Sequence, residues 1–200
     1  MKGCLSLIIK TIIAVLVFFG LLHLGVIDFI RNKIDERATT TREEVINKVK
    51  DIVDLSEIDD EYNIATNFQI MKNRMIVADH NASGQKMIII EPKNEAILTK
   101  DDIKSDAIKE KIENALNKYK YKPFQLNKLD ITKHGEFEGI GQTIPYVKIN
   151  VEMANIPIKD MEGIVGVAEL ENGKNLIIIS ANEKGKYSQI IADAFYKKVK

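Results

Sequence analysis

Cysteine is nearly absent from this sequence, and neither sign of charge is in excess. The single cysteine, Cys4, stands ahead of the long apolar run, so the rest of the chain can form neither a disulfide nor a thiolate metal cluster. The chain carries 29 basic and 29 acidic side chains. Residues 1–37 hold five basic and three acidic ones, which leaves 24 and 26, a net charge of −2, for the remainder. Basic and acidic residues alternate there, whereas nucleic-acid binders concentrate basic residues on one face, so the sequence predicts no nucleic-acid partner.

A long apolar run near the N-terminus predicts a membrane anchor. Residues 11–30 read TIIAVLVFFGLLHLGVIDFI, and about 20 helical residues span the roughly 30 Å hydrocarbon core of a bilayer. Asp28 lies near the end of the run, where a charge costs least. The run is followed by Arg31, Asn32 and Lys33, without the small-residue pattern of a cleavage site. We therefore expect a retained, single-pass signal-anchor that contacts the lipid bilayer through residues 11–30.

The anchor divides the chain into four parts. These are a short N-terminal tail at 1–10, the transmembrane anchor at 11–30, a polar juxtamembrane linker at 31–40 and one α+β domain at 41–200. Basic residues are almost equal in number on the two sides of the anchor. A short tail before a signal-anchor commonly stays in the cytosol, so we expect a cell-membrane protein with a cytoplasmic N-terminus and an extracytoplasmic domain. A cytosolic domain is the alternative.

Helical periodicity appears in three places in the predicted domain. Thr41 and Glu44 form a capping box that begins a helix ending near Leu55. Thr99 and Asp102 begin a second helix, which Pro123 ends. A third helix is predicted from about Gly185 to Lys198, with Lys197 and Lys198 where the helix dipole favours cations.

The remaining apolar segments have the pattern of strands. Gln69–Asp79 and Gln85–Glu91 predict a hairpin whose turn is His80–Gly84. Strands resume at Asn127. Residues 146–153 alternate between two faces of a strand. The apolar face carries Val147, Ile149, Val151 and Met153, and the face that meets water carries Tyr146, Lys148, Asn150 and Glu152. Asn172-Gly173 predicts a two-residue type I′ hairpin between 164–170 and 175–181. We expect a largely antiparallel sheet of about six strands packed by about three helices.

The last hairpin and helix, Gly163 to Phe195, resemble the end of domains of the photosystem II PsbP type. The resemblance covers about a sixth of the chain and rests on the pattern of elements. It implies an α-β-α sandwich and carries no site residue over to this sequence.

Two groups of residues have chemistry that could form a catalytic site. His134, Glu136 and Glu138 alternate, so in a strand they share one face, and they are the candidate catalytic residues if the domain is an enzyme. With one more ligand they could hold a divalent cation, but a solvated strand end is the simpler reading. Asp79, His80 and Ser83 have the residue types of a hydrolytic triad, yet all three lie in or beside one predicted turn.

Other polar and glycine-rich segments predict structure and not a ligand. The acidic stretch at 57–61 lacks the glycine of a calcium loop. Gly135, Gly139 and Gly141 precede a strand and not a helix, so they do not form a phosphate loop. Gly163 and Gly166, within a strand pattern, indicate a bulge or close packing. The sequence therefore predicts neither a cofactor nor a metal.

These observations favour a membrane-anchored protein with a non-enzymatic binding or accessory domain, whose protein or small-ligand partner the sequence does not identify. A membrane-tethered enzyme is one alternative, with His134, Glu136 and Glu138 as its centre. A structural subunit of a membrane complex is the other, in which His23 and Gly20 of the anchor form the helix contact.

Overall fold

The computed structural model describes residues 41–70, 73–92, 98–106, 108–109, 125–154 and 160–200, with the backbone alone at 65–70, 125–127 and 153–154. The predicted tail, anchor and linker, residues 1–40, lie outside this part. Within it, no helix has the length and apolar character needed to cross a bilayer.

A seven-stranded antiparallel sheet forms the centre of the domain. The strands run in the spatial order β1-β2-β3-β7-β6-β5-β4, so two meanders, β1–β3 and β4–β7, join where β3 pairs with β7. The prediction of an antiparallel sheet in an α+β domain is confirmed, with seven strands where about six were expected. The strands are β1 Tyr62–Ile70, β2 Asn73–His80, β3 Lys86–Glu91, β4 Gln125–Gly139, β5 Gln142–Ala154, β6 Met161–Glu169 and β7 Asn175–Glu183.

The described part contains three helices, each shorter than its sequence pattern predicted. Helix α1 is Arg42–Val49, and its predicted capping box is present. Helix α2 is Lys100–Lys104, also with a capping box, and it ends at Ser105. The C-terminal part of the second predicted helix lies largely outside the described residues. Helix α3 is Gln189–Lys198, and the chain before it turns at Gly185, whose φ is +82°.

The helices cover both faces of the sheet. On one face, α1 and α3 pack on alternate residues of β2, β3, β6 and β7, and Val45, Val49, Phe195 and Tyr196 are all at most 5% exposed. We call this the α1–α3 face. On the opposite face, which we call the α2 face, α2 contacts β5 and β6 and buries Ile103. Burial on both sides explains the continuous apolar runs of β3 and β7.

Two of the hairpins have turns that the sequence did not predict correctly. The hairpin around Asn172-Gly173 is present, but Gly173 alone has positive φ there, and its N–H donates to the Leu170 carbonyl. This is a type I turn followed by a left-handed glycine, so the type I′ prediction was wrong. Positive φ at both central positions occurs instead at Ile140 (+50°) and Gly141 (+67°), between β4 and β5.

Strand β1 was not predicted. The run read as one strand, Gln69–Asp79, is divided, because Ile70 pairs with Asn73 and the chain reverses between them. Residues 62–70 read YNIATNFQI, which mixes polar and apolar residues without strict alternation, so the segment gave no period-2 signal.

Lys200 closes the domain against the segment that follows α1. The Lys200 backbone exchanges two hydrogen bonds with the Asp54 backbone, and its ammonium pairs with Glu57. Val199 and Leu55 beside this bridge are fully buried. The segment after Val49, predicted to be helical as far as Leu55, leaves the helix through a turn in which the N–H groups of Ile52 and Val53 donate to the Val49 carbonyl, and packing holds the rest of it.

Candidate functional site

The residues predicted to be catalytic share one face of β4, as their spacing indicated, but each has a different partner. His134, Glu136 and Glu138 are opposite Val147, Pro145 and Thr143, on the α2 face. The ring Nδ1 of His134 donates to the carbonyl of Ile103, at 3.1 Å. This bond fixes the ring and leaves Nε2 for solvent.

The two carboxylates beside His134 make separate bonds. Glu136 Oε1 lies 3.1 Å from Lys104 Nζ, and Glu138 Oε1 accepts from the Thr143 hydroxyl at 2.6 Å. Among the described residues no three His, Cys, Asp or Glu side chains are grouped so that they could hold a metal ion. The arrangement thus places the three residues in a row along an exposed strand and does not converge them on one point.

Asp79, His80 and Ser83 do not form a catalytic triad. Ser83 Oγ lies 2.8 Å from His80 Nδ1, and the Ser83 N–H also donates to Nδ1, so this nitrogen is the acceptor of a hydrogen-bonded turn. Asp79 pairs instead with Lys86, its Oδ1 lying 2.8 Å from Nζ, although the angles there are not those of a hydrogen bond. Adjacent strand residues point to opposite faces, and therefore Asp79 does not orient the His80 ring.

The acidic stretch at 57–61 is held by basic side chains. Glu57 pairs with Lys200 and Asp59 with Lys198, while Arg42 donates to the carbonyls of Ile58 and Asp59. The first turn of α1 is thereby fixed to the domain. The stretch serves as a structural connection between α1 and the last residues of the chain.

Close packing explains the glycines at positions 139, 163 and 166. A Cβ on Gly163 would collide with the Ser180 carbonyl, and a Cβ on Gly166 would lie 2.9 Å from the Pro145 carbonyl. A Cβ on Gly139 would lie 2.9 Å from the Cβ of Tyr196. These glycines let adjacent segments of the same chain pack closely, which confirms the prediction of close packing for Gly163 and Gly166.

A second polar surface, which the sequence analysis missed, lies on the α1–α3 face where α3 and the preceding loop meet β4, β5 and β6. We call it the tyrosine–lysine surface. Its residues are Lys133, Tyr146, Lys148, Glu162, Tyr187, Gln189 and Asp193.

The floor of the tyrosine–lysine surface is built by a glycine on the edge strand. Gly135 is directly opposite Tyr146, and a Cβ at Gly135 would lie 2.5 Å from the Tyr146 hydroxyl oxygen. The phenol therefore lies across β4 in the space that a side chain would fill. Its hydroxyl has no hydrogen-bond partner among the described residues. Tyr146 was expected on a face that meets water, but the residue is only 6% exposed, because its ring packs on Phe137.

Two lysines lie directly opposite each other beside this phenol. Lys133 of β4 pairs in register with Lys148 of β5, and like charges at directly opposed sheet positions are destabilising. Lys148 is compensated by Glu162, 2.5 Å away, and its Nζ lies 5.5 Å from the centre of the Tyr187 ring. Lys133 is exposed and forms no ion pair with any residue that the structure describes.

A hydrogen-bond chain along α3 closes the other side of the surface. The Tyr187 hydroxyl donates to Gln189 Oε1 at 2.9 Å, and Gln189 Nε2 donates to Asp193 Oδ1 at 2.7 Å. Burial raises the pKa of Tyr187, and the neighbouring Asp193 carboxylate adds to the increase. Burial raises the pKa of Tyr146 in the same way, with a further increase from Asp193 that Lys148 opposes. Both phenols are therefore protonated at neutral pH, so Tyr187 is a hydrogen-bond donor and the Tyr146 hydroxyl is available as one.

The sequence contained one signal for this surface. Tyr146, Lys148, Asn150 and Glu152 alternate along one strand, which indicated a polar face, but a single strand does not show which helix lies beside it. The contribution of Tyr187 and Asp193 depends on the position of α3. That position is set by long-range packing, with no local signature.

Comparison with known proteins gives no family assignment: no family model matches the chain, and no curated protein matches it in sequence.

Proposed function

We propose that this chain is a single-pass membrane protein that holds a non-enzymatic binding domain at the membrane surface, with the tyrosine–lysine surface as its binding face. The observation that carries the proposal is the opposed Lys133–Lys148 pair beside the Tyr146 hydroxyl, for which the described residues provide no hydrogen-bond partner. Stability alone favours opposite charges at facing sheet positions. The exposed Lys133 ammonium and the Tyr146 hydroxyl are suited to a partner that supplies oxygen acceptors and negative charge.

The tether supports this function through local concentration. The ten-residue linker predicted at 31–40 reaches at most about 35 Å, and α1 begins directly after it. Arg42, at the first position of α1, donates to the carbonyls of Ile58, Asp59 and Tyr62. A domain fixed in this way stays close to the bilayer, which raises its effective concentration for partners in the same membrane.

Protease protection in intact cells or spheroplasts tests the tether and its orientation. A tag placed after Lys200 should be removed by added protease without lysis if the domain is extracytoplasmic. The protein should stay in the pellet after alkaline carbonate extraction, and deletion of residues 11–30 should release it. Release of the intact chain by carbonate would overturn the anchor, and a tag that survives until lysis would place the domain in the cytosol.

Photocrosslinking tests the binding face independently of the tether. A photoreactive amino acid replacing Lys133 should give a discrete crosslinked product in cells, and Lys148→Glu in the same chain should reduce its yield. The matched control is the same replacement at Lys197, an exposed lysine of α3 with no ion pair among the described residues. Equal patterns from the two positions would remove the tyrosine–lysine surface as the binding face.

A membrane-tethered enzyme remains a second candidate because the bond from His134 Nδ1 to Ile103 orients the imidazole and leaves Nε2 accessible. Under this alternative, His134→Gln would abolish the cellular function of the protein and leave the Lys133 crosslink unchanged. Under the binding proposal, the effects are reversed: His134→Gln is tolerated and Lys133→Glu is not.

A further inference from the structure

The two edges of the sheet differ in how they are protected. Strand β4, at one edge, carries five Lys, Asp and Glu side chains and is interrupted by register shifts between Leu126 and Lys128 and between Ile131 and Lys133. Charges and bulges of this kind are the usual devices that prevent one sheet from pairing with another. Edge-to-edge pairing through β4 is therefore disfavoured.

Strand β1, at the opposite edge, has little of this protection. Its nine residues, Tyr62–Ile70, include no charged residue and no proline. No described strand pairs with its outer side. The outward carbonyl of Tyr62, the first residue of the strand, accepts a hydrogen bond from Arg42, and one bulge lies between Ala65 and Asn67. From Ile64 onward, the strand presents backbone N–H and C=O groups at alternate residues along an uncharged edge.

We propose that β1 pairs in the antiparallel direction with β1 of a second copy of this chain anchored in the same membrane. An uncharged strand is complementary to itself, because two-fold symmetry then places no like charges opposite each other. The pairing would extend two seven-stranded sheets into one across the symmetry axis, the mode of recognition known as strand addition.

The geometry of the predicted tether is compatible with this dimer. Arg42 connects the first turn of α1 to Tyr62, so each chain enters its domain at the start of β1. In an antiparallel pair the two starts lie at opposite ends of a nine-residue strand, about 30 Å apart when the strands overlap fully. Two linkers of about 35 Å each reach one bilayer from these positions.

Cysteine crosslinking of the full-length protein in its native membrane tests the proposal. In a Cys4→Ser background, single cysteines replace Asn63, Ala65, Asn67 and Gln69, and a short bismaleimide is added. At least one β1 position should give a product of twice the chain mass. The yield should fall with distance along the strand from the position that crosslinks best. The edge control is Thr132→Cys, an exposed position of β4, which should remain monomeric.

A charge substitution on β1 gives an independent readout. The yield is measured at whichever of the other β1 positions crosslinks best. Asn67→Lys should lower that yield about fivefold, because it places like charges near the two-fold axis of the dimer. Asn67→Gln should leave the yield unchanged. Circular dichroism in detergent shows whether the variants keep their fold. The proposal is overturned if no β1 position exceeds Thr132→Cys, if the product has another mass, or if a folded Asn67→Lys variant crosslinks normally. The Lys133 photocrosslink of the binding proposal is unaffected by any of these outcomes.

Discussion

Replacement of Tyr196 by phenylalanine removes one hydroxyl group from the junction between the two meanders. Tyr196 is fully buried, and its hydroxyl lies 2.6 Å from the Ile179 carbonyl oxygen, 3.2 Å from the Ile88 carbonyl oxygen and 3.3 Å from the Ile88 nitrogen. Ile88 and Ile179 are cross-strand partners in the β3–β7 pair. Phenylalanine keeps the ring and its packing, so the change isolates the hydrogen bonds.

The expected loss in the free energy of unfolding is about 1–3 kcal/mol, the cost of leaving buried polar groups without a partner. For a domain of this size, that loss lowers Tm by roughly 2–12 °C. Thermal unfolding of the full-length protein in detergent, followed by circular dichroism, measures it. The matched control is Tyr187→Phe, which removes a hydroxyl whose one partner among the described residues is the nearby Gln189, and it should cost less than about 1 kcal/mol.

The same residue predicts alkaline sensitivity. Burial raises the pKa of Tyr196 above its ordinary value, and its hydrogen bonds to the backbone at Ile88 and Ile179 offset only part of that increase. Because the raised pKa favours the protonated phenol in the folded state, this stabilisation is complete below about pH 10 and is lost as the pH rises further. Tyr196→Phe should therefore flatten the alkaline unfolding profile. Wild-type Tm and an unchanged alkaline profile in this variant would refute the assigned hydrogen bonds.

Three further predictions follow from other contacts. The Glu91 side chain is 13% exposed and pairs with Arg74 and Lys174. Burial acts to raise the pKa of Glu91, but the hydrogen bonds and charges of Arg74 and Lys174 outweigh it and lower the pKa. Glu91→Gln should therefore lower the free energy of unfolding, measured in urea titrations, by roughly 1–3 kcal/mol at neutral pH and by little once the pH is below the pKa of Glu91 in the folded state. Gly135→Ala should lower the free energy of unfolding by about 1–3 kcal/mol, because the added Cβ displaces the Tyr146 ring. Thermal unfolding should show a smaller loss when the same change is made in a Tyr146→Leu background. Additive losses from the two substitutions would contradict the clash. Deletion of residues 199–200 should lower Tm by several degrees, through lost burial and two lost hydrogen bonds, whereas Lys200→Ala, which keeps the backbone bridge, should change it little.

Local sequence signals predicted much of the fold correctly. Both capping boxes, the β2–β3 hairpin and the antiparallel arrangement depend on short-range patterns, and the structure contains them. The errors arose where tertiary contacts outweigh local preference. Ile140 adopts a left-handed conformation that β-branched residues avoid, while its N–H donates to the Tyr196 carbonyl and its side chain is buried. No turn propensity would have placed a type I′ turn there.

The candidate sites show the same difference between local patterns, which the sequence reveals, and tertiary contacts, which it does not. Strand periodicity correctly placed His134, Glu136 and Glu138 on one face of β4, because that prediction requires only alternation. Their separate bonds to Ile103, Lys104 and Thr143 depend on α2 and on the neighbouring strand, which a periodicity argument does not locate. The tyrosine–lysine surface was missed for the same reason, since it combines β4, β5 and β6 with α3 and the loop before it.

The order of strands in the sheet also constrains how the chain folds during synthesis. The first meander ends at Glu91, and its partner strand β7 begins only at Asn175. Until β7 has been synthesised, the apolar strand β3 has an open edge. Folding of this domain is thus a late event, and the growing polypeptide must keep β3 from premature association while the second meander is completed.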